Sequence, residues 1–380
     1  MVKIKKKVDL LYNYVESQVL HNQIVELFKN YNLGEVEEIF EVFGGYTNRS
    51  FGVICRQGDV RTEHFVRKYK VEATPADVLM EHSLINYAVA HGFQEAADIV
   101  LAQDGRSYVE IKELKNEKEV SRIFTVYRYL LGRDKYSWID NKCTPKEYKN
   151  LGALLARFHL SAHDFKPSDQ AHKTEPKVEV LLPSLAKTFS ERAAQPIQSQ
   201  FHAYFAFNLP RLLEHIEKNA LTDDEYAQLP TCPIHGDYHA GNVKFDGEET
   251  VGLFDFDWSK IDVRLFDVSL GMVYCCGSWD MVTDGQLRLD DCRSFLDGYN
   301  STLKGTVFSP LKEIEKNTFV KMLANAHIYL VYWLTELWYY LDPDNINDYE
   351  AVSYLTHFLR GLGGVEENAS ALNWLARSQA

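Results

Sequence analysis

The sequence predicts an α+β fold in which a small, β-rich N-terminal lobe precedes a larger, mainly helical C-terminal lobe. Three observations carry that prediction. Short β-branched and aromatic runs gather in the first third of the chain. From Pro145 onward, apolar residues recur at helical spacing almost to the end. A chain of 380 residues that is 46% hydrophobic can bury a large core, which excludes a mainly disordered or collagen-like protein.

The elements follow in order. Leu10, Leu11, Tyr14 and Val15, then Ile24, Val25, Leu27 and Phe28, predict one or two opening helices. Ile39 to Phe43 and Phe51 to Cys55 predict two strands of a hairpin, joined through Gly44, Gly45, Tyr46, Thr47, Asn48 and Arg49. Phe65 to Tyr69 makes a third strand. Pro75 and Asp77 start a helix with Val78, Leu79, Leu84, Ile85 and Ala88 on its apolar face, and Gly92 ends it. Ser107 to Ile111 and Ile123 to Leu130 complete a small sheet. The expected boundaries are 1–126 for the β-rich lobe with its leading helices, 127–133 for the segment between the lobes and 134–380 for the helical lobe. Leu151, Leu154, Leu155, Phe158 and His159 mark the first helix of the second lobe, residues 166–176 a polar surface loop, and Val243 to Phe256 a short β interruption. Two such lobes imply a cleft, a preferred place for ligands.

Lys and Arg number 41 against 54 Asp and Glu, a net charge of −13, which argues against non-specific binding to nucleic acid or anionic lipid and suits Mg²⁺ or a cationic ligand. The six cysteines form no CxxC pair and read as reduced thiols of a cytoplasmic protein. Four lysines precede Val8, but Asp9, Asn13 and Glu16 break the apolar run that a signal peptide needs. Met322 to Leu341, interrupted by Asn325, His327, Thr335 and Glu336, is a core helix rather than a membrane span.

The chemistry concentrates in CPIHGDYHAGNVKFDGEETVGLFDFDWSK, Cys232 to Lys260. His235, Asp237 and Asn242 stand in the order H-x-D-x-x-x-x-N. Two short strands turning at Asp246 and Gly247 then lead to Asp255 and Asp257. Phosphoryl transfer needs this set: a carboxylate for the substrate hydroxyl, and an amide oxygen with a second carboxylate to hold Mg²⁺ against the phosphates. A tight loop lets Asp237 and Asn242 reach one centre, and the hairpin returns Asp255 beside Asn242. Oxygen ligands without cysteine or paired histidine favour Mg²⁺ over Zn²⁺. Asp237 is therefore the expected base, Asn242 and Asp255 the expected metal ligands, and Asp257 either a further metal position, a loop-orienting group or a solvated carboxylate. His235 is expected to brace the loop, and Asp267 to bond the loop and its own helix.

The run HGDYHAGN followed by FDFD resembles the motif and metal-binding aspartate of the aminoglycoside phosphotransferase, choline kinase and homoserine kinase superfamily. That resemblance implies a bilobal protein-kinase-like fold and extends over about residues 35 to 280. FGGYTNRSFGV resembles the family's nucleotide loop and assigns Gly44, Gly45, Thr47 and Asn48 to the phosphates. HFVRKY resembles the strand that carries the phosphate-pairing lysine, placed at Lys68 because it shares a face with Val66 while Arg67 points the other way. Glu81 resembles the glutamate that anchors this lysine. YRYLLG resembles the hinge, with Tyr127 and Tyr129 at the adenine.

The resemblance thus implies an ATP- and Mg²⁺-dependent phosphotransferase acting on a hydroxyl of a small polar metabolite: an amino alcohol, a homoserine-like amino acid or an amino sugar. No nucleic-acid or membrane partner is expected. An aminoglycoside-modifying kinase, a non-catalytic nucleotide-binding module of the same fold and a metal-dependent phosphohydrolase are the alternatives. Absence of an A-P-E signature after Asp255 disfavours a protein acceptor. Trp279, Asp280, Asp284, Tyr329, Tyr332, Trp333, Glu336, Trp338 and Tyr339 offer either core packing or an aromatic, acidic pocket for an amine.

Overall fold

Leu20, Ile24, Leu27 and Phe28 lie along one stripe of a helix over residues 20–28 (α1), and that stripe covers one face of an antiparallel sheet. The computed structural model describes residues 20–42, 48–115, 118–341 and 346–378. Its sheet contains β1 (Glu35–Val42), β2 (Arg49–Gln57), β3 (Val60–Lys68), β4 (Val109–Lys115) and β5 (Lys118–Arg128), in the spatial order β1-β2-β3-β5-β4. Phe51, Val53, Cys55, Val66, Val109, Phe124 and Val126 turn toward α1 and form the core of this unit. Helix α2 (Pro75–Ala90) follows β3 and ends before Gly92, whose φ of 97° stops the helix.

β3 starts at Val60, five residues before the sequence signal at Phe65. Its first four residues, Val60, Arg61, Thr62 and Glu63, are exposed, so they carry no burial pattern, and β2 alone holds them in register. Of the expected linker from Gly44 to Arg49, residues 44–47, with Gly44, Gly45 and Thr47, lie outside the described residues, as do Phe43 and the helix signal at Leu10 to Val15.

Ser83–Ala96 and Leu131–Ala380 make a second unit. After β6 (Arg133–Asp134), α3 (Pro145–Ala162) begins at a capping box in which Thr144 accepts from the Glu147 N–H and Glu147 accepts from the Thr144 N–H. Tyr148, Leu151, Leu154, Leu155, Phe158 and Ala162 form its buried stripe. Helices α4 (Val178–Ala193), α5 (Gln200–Lys218) and α6 (Asp223–Gln228) come next. Strand β7 (Thr231–Ile234) pairs with β10 (Lys260–Val263), while β8 (Val243–Asp246) and β9 (Glu249–Leu253) form the hairpin expected at Asp246 and Gly247. Helices α7 (Arg264–Cys276), α8 (Leu289–Leu303), α9 (Glu313–Tyr332), α10 (Asp348–Glu367) and α11 (Ala369–Arg377) complete the unit, and a π-helical turn at Trp333–Tyr339 continues α9. Among the described residues, no helix is long and apolar enough to cross a membrane.

Helices α7 and α9 are joined by a fully buried ion pair. The Arg264 guanidinium donates through Nε to Glu315 at 2.8 Å and through Nη2 to the same carboxylate. Nη1 donates to the carbonyls of Phe308 and Ser309 at 3.2 and 3.0 Å. Removing one partner strands the other charge in the core. Glu315→Ala should therefore lower unfolding free energy by about 3–5 kcal/mol, read from denaturant midpoints.

Candidate active site

The loop after β7 is built around one buried carboxylate. Asp267, on α7, accepts the backbone N–H of His235 at 2.8 Å and of Gly236 at 2.9 Å, and lies 2.9 Å from His159 Nε2 on α3. Burial raises the proton affinity of Asp267, but the hydrogen bonds from His159 and the loop outweigh it and leave the carboxyl below its usual range. Gly236 has φ of 79°, and a Cβ there would press on the Trp258 carbonyl, so the turn into Asp237 requires glycine. His235 Nδ1 accepts the Asp237 N–H at 3.3 Å while Nε2 donates to the Phe254 carbonyl at 3.0 Å, which fixes the tautomer. Burial lowers the His235 pKa, so the ring stays neutral. His235 and Asp267 thus take the bracing places expected of them.

Asp237 comes next. Asn242 Nδ2 donates to its carbonyl at 2.9 Å and approaches Oδ2 at 3.4 Å, which leaves the Asn242 amide oxygen as the acceptor available to a cation. The hairpin pairs Val243 with Leu253, and the Phe254 N–H donates to the Asn242 carbonyl at 3.1 Å. Asp255 therefore follows directly beside Asn242. Asp255 is left-handed, with φ of 70° and ψ of 57°, and opens a 3₁₀ turn over Phe256–Trp258 that contains Asp257. Lys173 donates to the Asp257 carbonyl.

The Asp237 carboxylate is 24% exposed. Its pKa is nonetheless pushed well above the carboxylate range, first by desolvation and then by Asp255 and Asp257, against the lowering effect of hydrogen bonds from Tyr274 and Asn242. Carboxylates that repel one another in a half-dry place form a donor set for a hard cation. Among the described residues, no three His, Cys, Asp or Glu side chains stand close enough to hold a metal by themselves. A set of one amide and one or two carboxylates suits an ion whose remaining ligands are phosphate oxygens and water.

On the β-rich unit the structure corrects the assignment of the cation. Lys68 does not meet Glu81. Its Nζ donates to Glu113 at 2.5 Å and to Gln23 at 3.2 Å, on the face that carries Val66 and packs against α1. Arg67 turns to the other face and lies 3.6 Å from Glu81, and both side chains are at most 4% exposed. The face opposite Val66 is not solvated either, because β3 is covered on both faces at its C-terminal end. Alternation distinguishes two faces but does not say which of two dry faces a ligand would see.

Glu81 also accepts the hydroxyls of Tyr69 and Tyr127, at 2.8 and 2.9 Å. Tyr127 is thus a strand residue whose side chain serves Glu81. The backbone on either side of it is engaged too: the Arg128 N–H donates to Asp98, and the Val126 carbonyl accepts from Val100. Tyr129 lies just past the end of β5. Asn48 accepts the Lys70 N–H at 2.9 Å and so closes the end of the β2–β3 pair.

Two of the three acidic residues offered for an amine pocket have cations of their own. Glu336 is gripped by Arg192, with Nε 3.0 Å from Oε2. Asp284 is held by His357 at 2.6 Å and Arg360 at 2.9 Å. Sequence reasoning missed Tyr274 and Glu175. The Tyr274 ring packs edge-on against His239, two residues past Asp237, at 5.3 Å between centroids. Glu175, in the polar loop, is buried between Lys260 at 2.8 Å and the Tyr329 hydroxyl at 3.0 Å. Tyr274 stands seven residues after Asp267 and so shares its helix face, a signal present in the sequence. Nothing local marks Glu175.

A β-rich N-terminal unit followed by a helical unit with such a loop is the protein-kinase-like architecture, and proteins that resemble this chain are small-molecule kinases. The chain belongs to the phosphotransferase enzyme family (APH), which it matches over residues 41–303. Homoserine kinase of Cupriavidus metallidurans is 25% identical over 370 residues, covering 95% of this chain and 99% of that protein. Homoserine kinase of Cupriavidus necator is 24% identical over 380 residues, with the same two shares. Among solved structures, a microcompartment-associated aminopropanol kinase superposes with a TM-score of 0.64 at 14% identity, over 93% of this chain and 98% of its own. Choline kinase of Cryptosporidium parvum does so with a TM-score of 0.57 at 14% identity, over 94% and 99%. The protein is a small-molecule kinase that transfers a phosphoryl group to a hydroxyl.

Asp267→Asn replaces one acceptor oxygen with a donor that faces an N–H. It should cost about 2–4 kcal/mol in stability and at least about tenfold in kcat as the loop loosens, measured by denaturant unfolding and steady-state turnover.

Proposed function

We propose that this kinase uses ATP and Mg²⁺ to phosphorylate the hydroxyl of an amino alcohol, a homoserine-like amino acid or an amino sugar. The observation that carries this reading is the loop itself: Asp237 held beside Asn242 and Asp255, with its charge opposed by Asp255 and Asp257. Relatives named homoserine kinase, matched over 95% of this chain, support a short acceptor that carries both an amine and a hydroxyl. Six buried, unpaired thiols fit a cytoplasmic enzyme.

Asp237 would accept the proton of the acceptor hydroxyl as its oxygen bonds to the γ-phosphorus and the bond to ADP breaks. Asn242 and Asp255 would hold Mg²⁺, and Asp257 would serve a second ion or orient the turn. When bound, the ion offsets charge on the phosphate oxygens. Its presence beside Asp255 would also relieve the repulsion that raises the Asp237 pKa and so favour the ionised base. On the β-rich unit, Arg67, tied to Glu81, takes the phosphate-neutralising role first assigned to Lys68. The nucleotide loop remains assigned to Gly44, Gly45, Thr47 and Asn48, and the adenine contact to Tyr129, on the family resemblance.

Two outcomes are expected. Asp237→Ala should lower kcat by about 10²–10⁴-fold in an ADP-release assay while Mg-ATP still binds by calorimetry; unchanged turnover would remove Asp237 as the base. Arg67→Ala should lower kcat/KM for ATP by about 10- to 100-fold and Lys68→Ala by less than about threefold, from charge-assisted contacts of ordinary strength. The reverse order would restore Lys68.

A further inference from the structure

His239, two residues past Asp237, has both its backbone and its ring fixed. The carbonyl accepts the Asn242 N–H at 2.9 Å, and the residue caps the 3₁₀ turn over Ala240–Asn242 without using its side chain to do so. The ring lies so close over Gly241 that a Cβ there would stand 2.9 Å from both Nδ1 and Cε1, and the Tyr274 ring meets it edge-on at 5.3 Å between centroids. An ordered imidazole thus stands beside the base. Its nitrogens are idle: Nδ1 is buried with no hydrogen-bond partner among the described residues, and Nε2 is 3.7 Å from Asp237 Oδ2, beyond hydrogen-bond length.

The place of the ring proton follows from these surroundings. On Nδ1 it would be a buried donor without an acceptor, and the Nε2 lone pair would face the Asp237 carboxylate. On Nε2 it faces that carboxylate, so the ring presents an Nε2–H toward the base. Both side chains keep some exposure, 12% for His239 and 24% for Asp237, so solvent or a ligand can reach them. A gap of 3.7 Å is bridged by one oxygen about 2.8 Å from either side. A hydroxyl suits it, because it donates once, to the carboxylate, and has two lone pairs, one for the Nε2–H and one left over. An ammonium only donates, and would set its own N–H against that of the ring.

We infer that His239 is an acceptor-binding residue: its Nε2–H donates to the oxygen of the acceptor hydroxyl while Asp237 accepts that hydroxyl's proton, which leaves the second lone pair for the γ-phosphorus. The inference rests on the assignment of Asp237 as base. The imidazole keeps its own proton throughout. The O–H proton passes to Asp237, the oxygen bonds to the γ-phosphorus, and the bond to ADP breaks. Holding the oxygen from two sides fixes which lone pair attacks, and placement of that kind is what this reaction requires.

The test uses the full-length enzyme and whichever of homoserine, ethanolamine and glucosamine the wild type turns over fastest. His239→Leu should lower kcat/KM for that acceptor about 10- to 100-fold, the range for a donor to an oxygen that gathers charge. The Kd for Mg-ATP should change by less than about twofold. His239→Gln, whose amide nitrogen reaches the place of Nε2, should stay within about fivefold of wild type. A leucine variant within about twofold of wild type would overturn the inference. Equal losses in the leucine and glutamine variants would do the same, since they describe packing rather than a donor. If the leucine variant does not fold, His239→Asn replaces it: its amide ends near the place of Nδ1, short of the gap, and the same loss is expected. Failure of both to fold makes His239 a packing residue and overturns the inference as well. The assignments fail separately. Turnover by Asp237→Ala removes the base, and a wild type that turns over none of the three acceptors removes the acceptor class; either takes this inference with it. An inactive Asp237→Ala beside a fully active His239→Leu removes His239 alone.

Discussion

The site depends on the buried carboxylate of Asp267. A charge out of water is costly unless every lone pair is used, and here two loop N–H groups and an imidazole use them. The His159 ring that meets it passes the connection on to the Tyr299 hydroxyl at 2.8 Å, so α3, α7, α8 and the loop share one network. Because the partners come from four elements, displacement of any one leaves a polar group unsatisfied in the core. The loop is therefore tied to the helices behind it, which suits a reaction that depends on placement more than on covalent chemistry.

Much of this was legible in the sequence. The segment from His235 to Asp257 spans few residues, and its turn chemistry, hairpin and spacing are all local, so the relation of Asp237, Asn242 and Asp255 could be written down before any coordinates. The division into a β-rich and a helical part was equally plain, because the two periodicities hardly overlap along the chain. Periodicity failed where burial is two-sided. On β3, Val66 marks a dry face correctly, but α1 covers that face, and the face with Arg67 is dry as well. Which cation meets Glu81 is decided by the helix packed there, not by the letters around it.

Partners distant in sequence were likewise beyond reach. Lys68 and Glu113 are 45 positions apart, Arg192 and Glu336 are 144 apart, and each pair is brought together by the fold. These pairings bear on the acceptor. The net charge of −13 suits Mg²⁺ or a cationic ligand as well as a merely soluble surface. Glu336 and Asp284 already have internal counter-ions, and Glu175 shares Lys260 with Asp262, which lies 3.2 Å from the same Nζ. Recognition of an amine by any of these would mean competing with a built-in cation, so the surplus of negative charge is a weaker guide to the substrate than its size suggests.

The left-handed backbone of Asp255 sets a filter on what evolution can try at that position. Asp and Asn enter that region at little cost, glycine freely, and most longer side chains do so with strain. Glutamate would keep the charge yet lose both the backbone and the reach, whereas asparagine would keep the backbone and lose the charge. Aspartate alone satisfies both demands. A sequence that drifts away from it can therefore keep the fold and still lose the proposed cation ligand.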